Sequence, residues 1–227
     1  MKKTWIMTQE WHHVLFLHWP VSPEKICKYI PAELELDLYN HQAWIGIVFF
    51  QVKGNRPRFI PPLPGFNSYL ELNIRTYVTY KGKIGVYFFS LDANHPLIVE
   101  LANFGDFLPY RNAEISFKKH KKIFSLYSKY ERQNENILTT FEPITKPLES
   151  TRLNTWLTER YSLWTKTKGR LFRVDISHTP WRLQNVNGLV YENTMAPFLK
   201  ENFSMKRPLA HYSTMKKARF YPPILEK

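Results

Sequence analysis

Along most of the chain, apolar and polar positions alternate with a period of two, or run apolar through β-branched and aromatic residues, which is the pattern of strands. Ten such segments stand out, at 12–19, 42–52, 69–80, 84–92, 113–118, 123–130, 137–142, 161–165, 171–178 and 184–191. Ten strands predict a barrel or a sandwich. Helical signals are confined to three short stretches. Ser22-Pro23-Glu24 supplies an N-cap, a proline at the first helical position and an acid in the first turn, and the run to Ile30 stops before Pro31. His95-Pro96 opens a second helix through Phe104, with Gly105 as its C′ residue. A third covers 148–159, with Leu153, Trp156 and Leu157 on one face. No repeat, low-complexity segment or Ser/Gly linker divides the chain, so residues 1–227 are expected to form one domain. The Pro-rich stretch 56–64 is interleaved with bulky apolar residues and reads as an ordered loop.

The segment 69–92 specifies a hairpin, because Lys81-Gly82 separates two runs of strand formers and supplies the glycine of a tight turn. Pairing Tyr80 with Lys83 sets the register. One face then carries Leu72 opposite Leu91, Ile74 opposite Phe89, Thr76 opposite Tyr87 and Val78 opposite Gly85, which is core. The other carries Glu71 opposite Asp92, Asn73 opposite Ser90, Arg75 opposite Phe88 and Tyr77 opposite Val86. Two carboxylates at cross-strand distance cannot both ionise easily if buried, and one would gain the raised pKa of a general acid or base. Arg75, about 13 Å further along the strand by rise alone, could hold an anionic group. Residue pattern alone leaves this face either lumenal or turned to solvent.

Composition sharpens the picture. Phe, Tyr and Trp make up 16% of the 227 residues, which favours strands and a core or pocket lined with rings. Glycine, at 8, is too scarce for a phosphate-cradling or collagen-like chain, and the hydrophobic share of 44% suffices for a sizeable core. The lone Cys27 excludes an internal disulfide and an all-cysteine zinc site, and fits a reducing compartment. Met1-Lys2-Lys3 resembles a secretory n-region, but Thr8, Gln9 and Glu10 interrupt the apolar segment that should follow, and the apolar run 43–50 is far short of a membrane span. A cytoplasmic protein without a membrane partner is expected.

The net charge of +13 raises the question of nucleic acid. No helix-turn-helix, zinc finger or RNP pattern accompanies it, so the clusters 118–122 and Lys206, Arg207, Lys216, Lys217, Arg219 read as solvated surface. The first sits where a hairpin tip is expected. Nucleic acid binding is the remote alternative.

Other chemistry is sparse. His12, Val14, Phe16 and His18 share one strand face, but the two histidines lie about 20 Å apart, too far for one metal. Gly-x-Ser-x-Gly, Walker, Gly-x-Gly-x-x-Gly and His-Glu-x-x-His motifs are missing from the sequence. His178, before Pro180-Trp181, reads as a core-edge histidine or a pocket wall. No metal and no cofactor is expected.

Several segments taken together resemble a known family: His18-Trp19-Pro20-Val21, Leu34-Glu35-Leu36-Asp37, Ala43-Trp44-Ile45-Gly46, Pro61-Pro62-Leu63-Pro64-Gly65, Glu71-Leu72-Asn73-Ile74-Arg75-Thr76-Tyr77-Val78, Gly85-Val86-Tyr87-Phe88-Phe89-Ser90-Leu91-Asp92, Leu108-Pro109-Tyr110, Thr158-Glu159-Arg160-Tyr161 and His178-Thr179-Pro180-Trp181. They resemble the uncharacterised bacterial YqjF-like family over nearly the whole chain. Ser177 departs from the second histidine often found there, which argues against a paired-histidine role. The family in turn is similar to acetoacetate decarboxylase. That resemblance implies a mainly β fold, an antiparallel β-barrel with a cone-like interior and a few short helices, and it points the Glu71 face into the lumen.

The decarboxylase carries a glutamate in a Tyr-x-Glu strand segment and a lysine pair after Gly-Phe-Pro, one lysine forming a Schiff base with a β-keto acid. Glu71 in Tyr69-Leu70-Glu71 matches the glutamate, but the lysine pair falls on Tyr110-Arg111. A phenol cannot form an imine, and Arg111 stays protonated. The arginine that the decarboxylase uses before an Asp-Pro helix start has no counterpart in 19–23. Schiff-base decarboxylation is therefore not expected. The sequence reads as a pocket that binds, or transforms by acid/base chemistry, a small and partly apolar organic acid or carbonyl compound. Glu71 would be acid or base, Arg75 the clamp and Tyr110 a hydrogen-bond donor, with Asn73, Asp92, Trp44, Phe88, His178 and Trp181 around the ligand. The rival is a non-catalytic small-molecule binder. Whether the chain forms a homo-oligomer is left open.

Overall fold

A computed structural model describes residues 4–61, 65, 67–103 and 107–226. The strands are β1 (Met7–Val21), β2 (Glu35–Leu36), β3 (Ala43–Pro57), β4 (Ser68–Tyr80), β5 (Lys83–Ala93), β6 (Tyr110–Asn112), β7 (Glu114–His120), β8 (Ile123–Tyr130), β9 (Glu135–Pro147), β10 (Ser162–Thr167), β11 (Arg170–Ser177), β12 (Gln184–Asn193), β13 (Leu209–Phe220) and β14 (Ile224–Leu225). Helices α1 (Pro23–Ile26), α2 (Pro96–Ala102) and α3 (Arg152–Thr158) are short, and α1 runs on as a 3-10 turn over Cys27–Tyr29. The first two start where their capping residues predict, and α3 lies within the stretch 148–159 that its apolar face predicts, starting at Arg152. The Ser22 side chain makes no cap bond, whereas the His95 ring accepts from the Ile98 amide and Thr151 accepts from Asn154. The expected end of α2 at Phe104 and Gly105, and the loop positions Pro62, Leu63 and Pro64, lie outside the described residues. Among those described, no helix is long and apolar enough to cross a membrane.

Seven strands close into a ring in the order β11-β10-β5-β4-β3-β1-β13, and β13 meets β11 again through Ile176 opposite Phe220 and Ser177 opposite Arg219. The pairings are antiparallel, except that β10 and β6 each run parallel to β5. From β13 the sheet continues through β12, β9, β8 and β7, which fold back over the outside of the ring. The main core fills the space between. Leu15, Leu17, Ile47, Phe49, Leu72 and Ile74 on the ring's outer face pack with Ile115, Phe124, Leu126, Ile137 and Phe141 of the covering layer. With the odd-even alternation so divided, the inner face of β4 receives Glu71, Asn73 and Arg75.

Turn chemistry sets the local register. Lys81 and Gly82 both have positive φ, 48° and 76°, as a two-residue type I′ turn requires, and Tyr80 pairs with Lys83 as the sequence predicts. The lysine-rich segment 118–122 is indeed a hairpin tip, joining β7 to β8 through His120 opposite Ile123.

Three expectations change. Between Arg75 opposite Phe88 and Ile74 opposite Ser90 the ladder slips by one, with Phe89 the extra residue. This β-bulge places Glu71 opposite Ala93 and Leu72 opposite Asp92, so Asp92 is turned to the other face from Glu71. A second irregularity, at His13 with φ 54°, breaks the alternation of β1, and Trp11, Val14 and Phe16 face inward without His12. Finally, β13 is a full ring strand that the lysine cluster hides from pattern reading. Its Lys216 is not solvated surface. It is buried, donates to the Thr179 hydroxyl and the Pro180 carbonyl, and lies 5.4 Å from the Trp181 ring.

Candidate functional site

The ring encloses a cavity of about 470 Å³, within the usual range for small-molecule sites. Its walls are mostly rings and aliphatic side chains, including Trp11, Phe16, Phe50, Phe88, His178 and Trp181. Trp181 stacks on Trp11 at 6.2 Å and meets Phe16 edge-on at 4.9 Å, and its indole N–H donates to the Thr158 carbonyl. His178 contacts Trp181 and Tyr161 edgewise or tilted, and burial lowers its pKa, so it stands as a neutral wall.

Into this apolar space β4 projects Glu71, Asn73 and Arg75 in a row. Glu71 is 4% exposed, and burial pushes its carboxyl up to about 8, above its ordinary range. The Tyr110 phenol donates to Glu71 Oε2 at 3.0 Å and opposes that rise, while the charge of Asp92 adds to it. Tyr69, on the same strand face, contacts the Tyr110 phenol and accepts from Gln9 Nε2 at 3.2 Å. Gln9 in turn accepts from the Trp11 indole at 2.9 Å. Both phenols are held well above their ordinary pKa by burial and by the carboxylate, so they act as donors.

Arg75 lies beyond Asn73. Its Nη2 donates to the Leu157 carbonyl at 3.4 Å, and its guanidinium sits 5.8 Å from the rings of Phe16 and Tyr77. Among the described residues it meets no carboxylate. The neighbouring Arg160, in contrast, is paired with Asp37. The cavity thus presents a neutral acid, a phenol and a cation without a described carboxylate partner along one face of β4, and a second phenol, Tyr110, from β6.

Two sequence candidates lie elsewhere. Asp92 is fully buried on the outer side, where Arg111 grips both its oxygens at 2.6 and 2.9 Å and reaches Glu135 at 2.8 Å. Trp44 packs beyond the cavity with Tyr77, Leu157 and Trp156. Tyr69, Gln9, Trp11 and Arg160 line the cavity without having been singled out. Tyr69 shares the period-two face of Glu71 and was legible on that ground; the other three depend on tertiary closure. Among the described residues, no lysine lines the cavity.

Residues 8–217 match the profile of DUF2071, described as an uncharacterized conserved protein family. The chain belongs to the DUF2071 family. It is 41% identical over 221 residues to the uncharacterized protein YqjF of Bacillus subtilis (strain 168), covering 96% of this chain and 91% of that protein. Solved structures extend the likeness to the fold. The enduracididine biosynthesis enzyme MppR complexed with pyruvate superposes with a TM-score of 0.68 at 10% identity, covering 99% of this chain and 91% of that one. An acetoacetate decarboxylase-like enzyme from Sphingomonas wittichii RW1 gives 0.67 at 10% identity, with 99% and 94% covered. Acetoacetate decarboxylase from Legionella pneumophila gives 0.66 at 14% identity, with 100% and 90% covered. The DUF2071 chain therefore has the acetoacetate-decarboxylase-like fold, mainly β with a few short helices.

Proposed function

We propose that the cavity binds a small, partly apolar organic acid carrying a carbonyl group, and that Glu71 exchanges a proton with it. The observation that carries this reading is Arg75, a guanidinium in a ring-lined cavity with no carboxylate partner among the described residues. Half-buried among rings, the Arg75 guanidinium donates to a carbonyl, that of Leu157, and a ligand carboxylate would compensate its charge with charge-assisted hydrogen bonds. Pyruvate, bound in a structure of the same fold, belongs to the same chemical class.

With the carboxylate on Arg75, the apolar body lies among Phe16, Phe88 and Trp181, and a carbonyl reaches toward Glu71 and Tyr110. Neutral Glu71 can give its proton to a developing enolate oxygen, and its anion, populated above a pKa of about 8, can take one from the adjacent carbon. The Tyr110 hydroxyl stabilises negative charge on oxygen. With tyrosine at the position matched to the decarboxylase lysine, no imine is invoked.

Calorimetry with 6-oxoheptanoate and 7-oxooctanoate, whose carbonyls stand several carbons from the carboxylate as the separation of Glu71 and Arg75 along β4 requires, tests binding, and deuterium incorporation next to the carbonyl in D₂O tests proton transfer. Arg75→Met should weaken binding at least about tenfold, the effect of losing one charge-assisted pair. Glu71→Gln should abolish exchange and leave binding measurable. If both acids bind the wild type and neither exchanges, the chain is a binding protein. Equal affinity in Arg75→Met would overturn the whole reading.

A further inference from the structure

The cavity opens at one end of the ring. There the inner wall ends in a row across four strands, Pro57 of β3, Met7 of β1, Phe220 of β13 and Ile176 of β11, all of which line the cavity. Lining residues at this rim reach solvent: Ile6 is 44% exposed and Leu101 of α2 is 66% exposed. Phe59, two residues past Pro57, is 90% exposed, and the exposed Leu97 stands four residues before Leu101, on the same side of α2. His95 Nε2 bonds to the Gly65 carbonyl at 2.6 Å and ties the start of α2 to the chain that follows Phe59.

Arginines frame this rim. One step back from the inner row, on the outer wall, the exposed Arg56 and Arg219 flank Thr8. Arg58 donates its amide to the Ile6 carbonyl and lays its guanidinium against the rings of Trp5 and Phe59, at 4.9 and 4.7 Å. None of the three forms an ion pair among the described residues, and they outnumber Glu100, the exposed acid of α2.

Large apolar side chains gathered in one exposed patch mark an interaction surface. Aromatic and aliphatic tips framed by arginines suit the boundary of an anionic bilayer, where the tips enter the acyl region and the guanidiniums meet lipid phosphates. A second copy suits it less well, because a two-fold contact through this rim sets the arginines of one chain against the same arginines of the other. A surface of this kind lies on a bilayer without spanning it, so it needs no long apolar segment.

We propose that the mouth of the cavity docks on an anionic lipid bilayer, with Phe59, Leu97 and Leu101 inserted and Arg56, Arg58 and Arg219 on the phosphates. Strand β4 runs inward from this end, so Glu71, opposite Phe50, lies nearer the mouth and Arg75, opposite Gly46, lies deeper. On the reading that the cavity takes an organic acid, an amphiphilic acid held in the bilayer presents its carboxylate first, which is the end that Arg75 receives.

Co-sedimentation of the full chain with vesicles tests the docking. Vesicles of phosphatidylglycerol and phosphatidylcholine in equal parts should bind the wild type at least about tenfold more tightly than phosphatidylcholine alone. The double variant Phe59→Ser/Leu97→Ser should weaken binding to the mixed vesicles about tenfold or more, and Arg56→Gln/Arg219→Gln about tenfold. Leu189→Ser/Tyr191→Ser, which removes two exposed apolar side chains from β12 of the covering layer, should leave it unchanged. Absence of binding to the mixed vesicles, wild-type binding by Phe59→Ser/Leu97→Ser, or an equal loss in the β12 variant would overturn the proposal. Sedimentation velocity without lipid should show a mass independent of concentration; a dimer that dissociates in Phe59→Ser/Leu97→Ser would give the patch to a second copy and overturn it as well. Calorimetry of the wild type with 6-oxoheptanoate in lipid-free solution is independent of all these outcomes, so a failure of docking leaves the ligand reading standing.

Discussion

The Tyr110 hydroxyl donates to the Glu71 carboxyl at 3.0 Å across a junction no hairpin makes, because β6 joins the edge of the ring in parallel with β5. The phenol is what restrains the rise of the Glu71 pKa that burial causes. Tyr110→Phe removes the donor and keeps the ring, so the Glu71 carboxyl should titrate above its wild-type value of about 8. Carbonyl-labelled glutamate followed by ¹³C NMR measures this. An unchanged or lowered midpoint would contradict the role given to Tyr110.

Stability should carry the signature of Glu71. A carboxyl that titrates at about 8 when folded, and in the ordinary range near 4.5 when unfolded, leaves the folded state holding the extra proton between those values. Its contribution is therefore complete below the unfolded pKa and is lost as pH rises toward about 8, at up to about 1.4 kcal/mol per pH unit. Glu71→Gln, neutral at every pH, should flatten the decline in unfolding free energy across that window, as read from denaturant midpoints at several pH values.

Arg111 holds two buried acids, Asp92 and Glu135, and its guanidinium lies 4.1 Å from the Tyr130 ring. Arg111→Met should cost about 3–5 kcal/mol because two carboxylates are left without a cation. Burial already raises the pKa of both, so the loss should be smaller at pH 5 than at pH 8, and Asp92→Asn in the same chain should recover part of it. Thermal melts at the two pH values check the sign.

Borohydride reduction in the presence of acetoacetate should leave the mass of the protein unchanged. Among the described residues the cavity lining contains no lysine, and Tyr110, which the resemblance to the decarboxylase sets against its lysine, is a phenol. A reduced adduct mapped to any lysine by peptide mass spectrometry would refute this.

Much of the site was already present in local pattern. Period-two alternation alone puts Glu71, Asn73 and Arg75 on one face, and the Lys81-Gly82 turn sets the pairing from Tyr80 to Arg75. The same alternation put Tyr69 on that face. What local pattern could not contain is the slip at Phe89, because a bulge answers to the curvature of the closed ring and leaves no mark on side-chain periodicity. That one residue sends Asp92 outward to Arg111, and Glu71 is left with Tyr110 in place of a second carboxylate as its hydrogen-bond partner. Likewise β13 reads as a basic surface segment until ring closure buries Lys216 beneath Trp181. Desolvation, which decides the protonation of Glu71, is a property of everything packed around it and exists only once β11 and β13 have met.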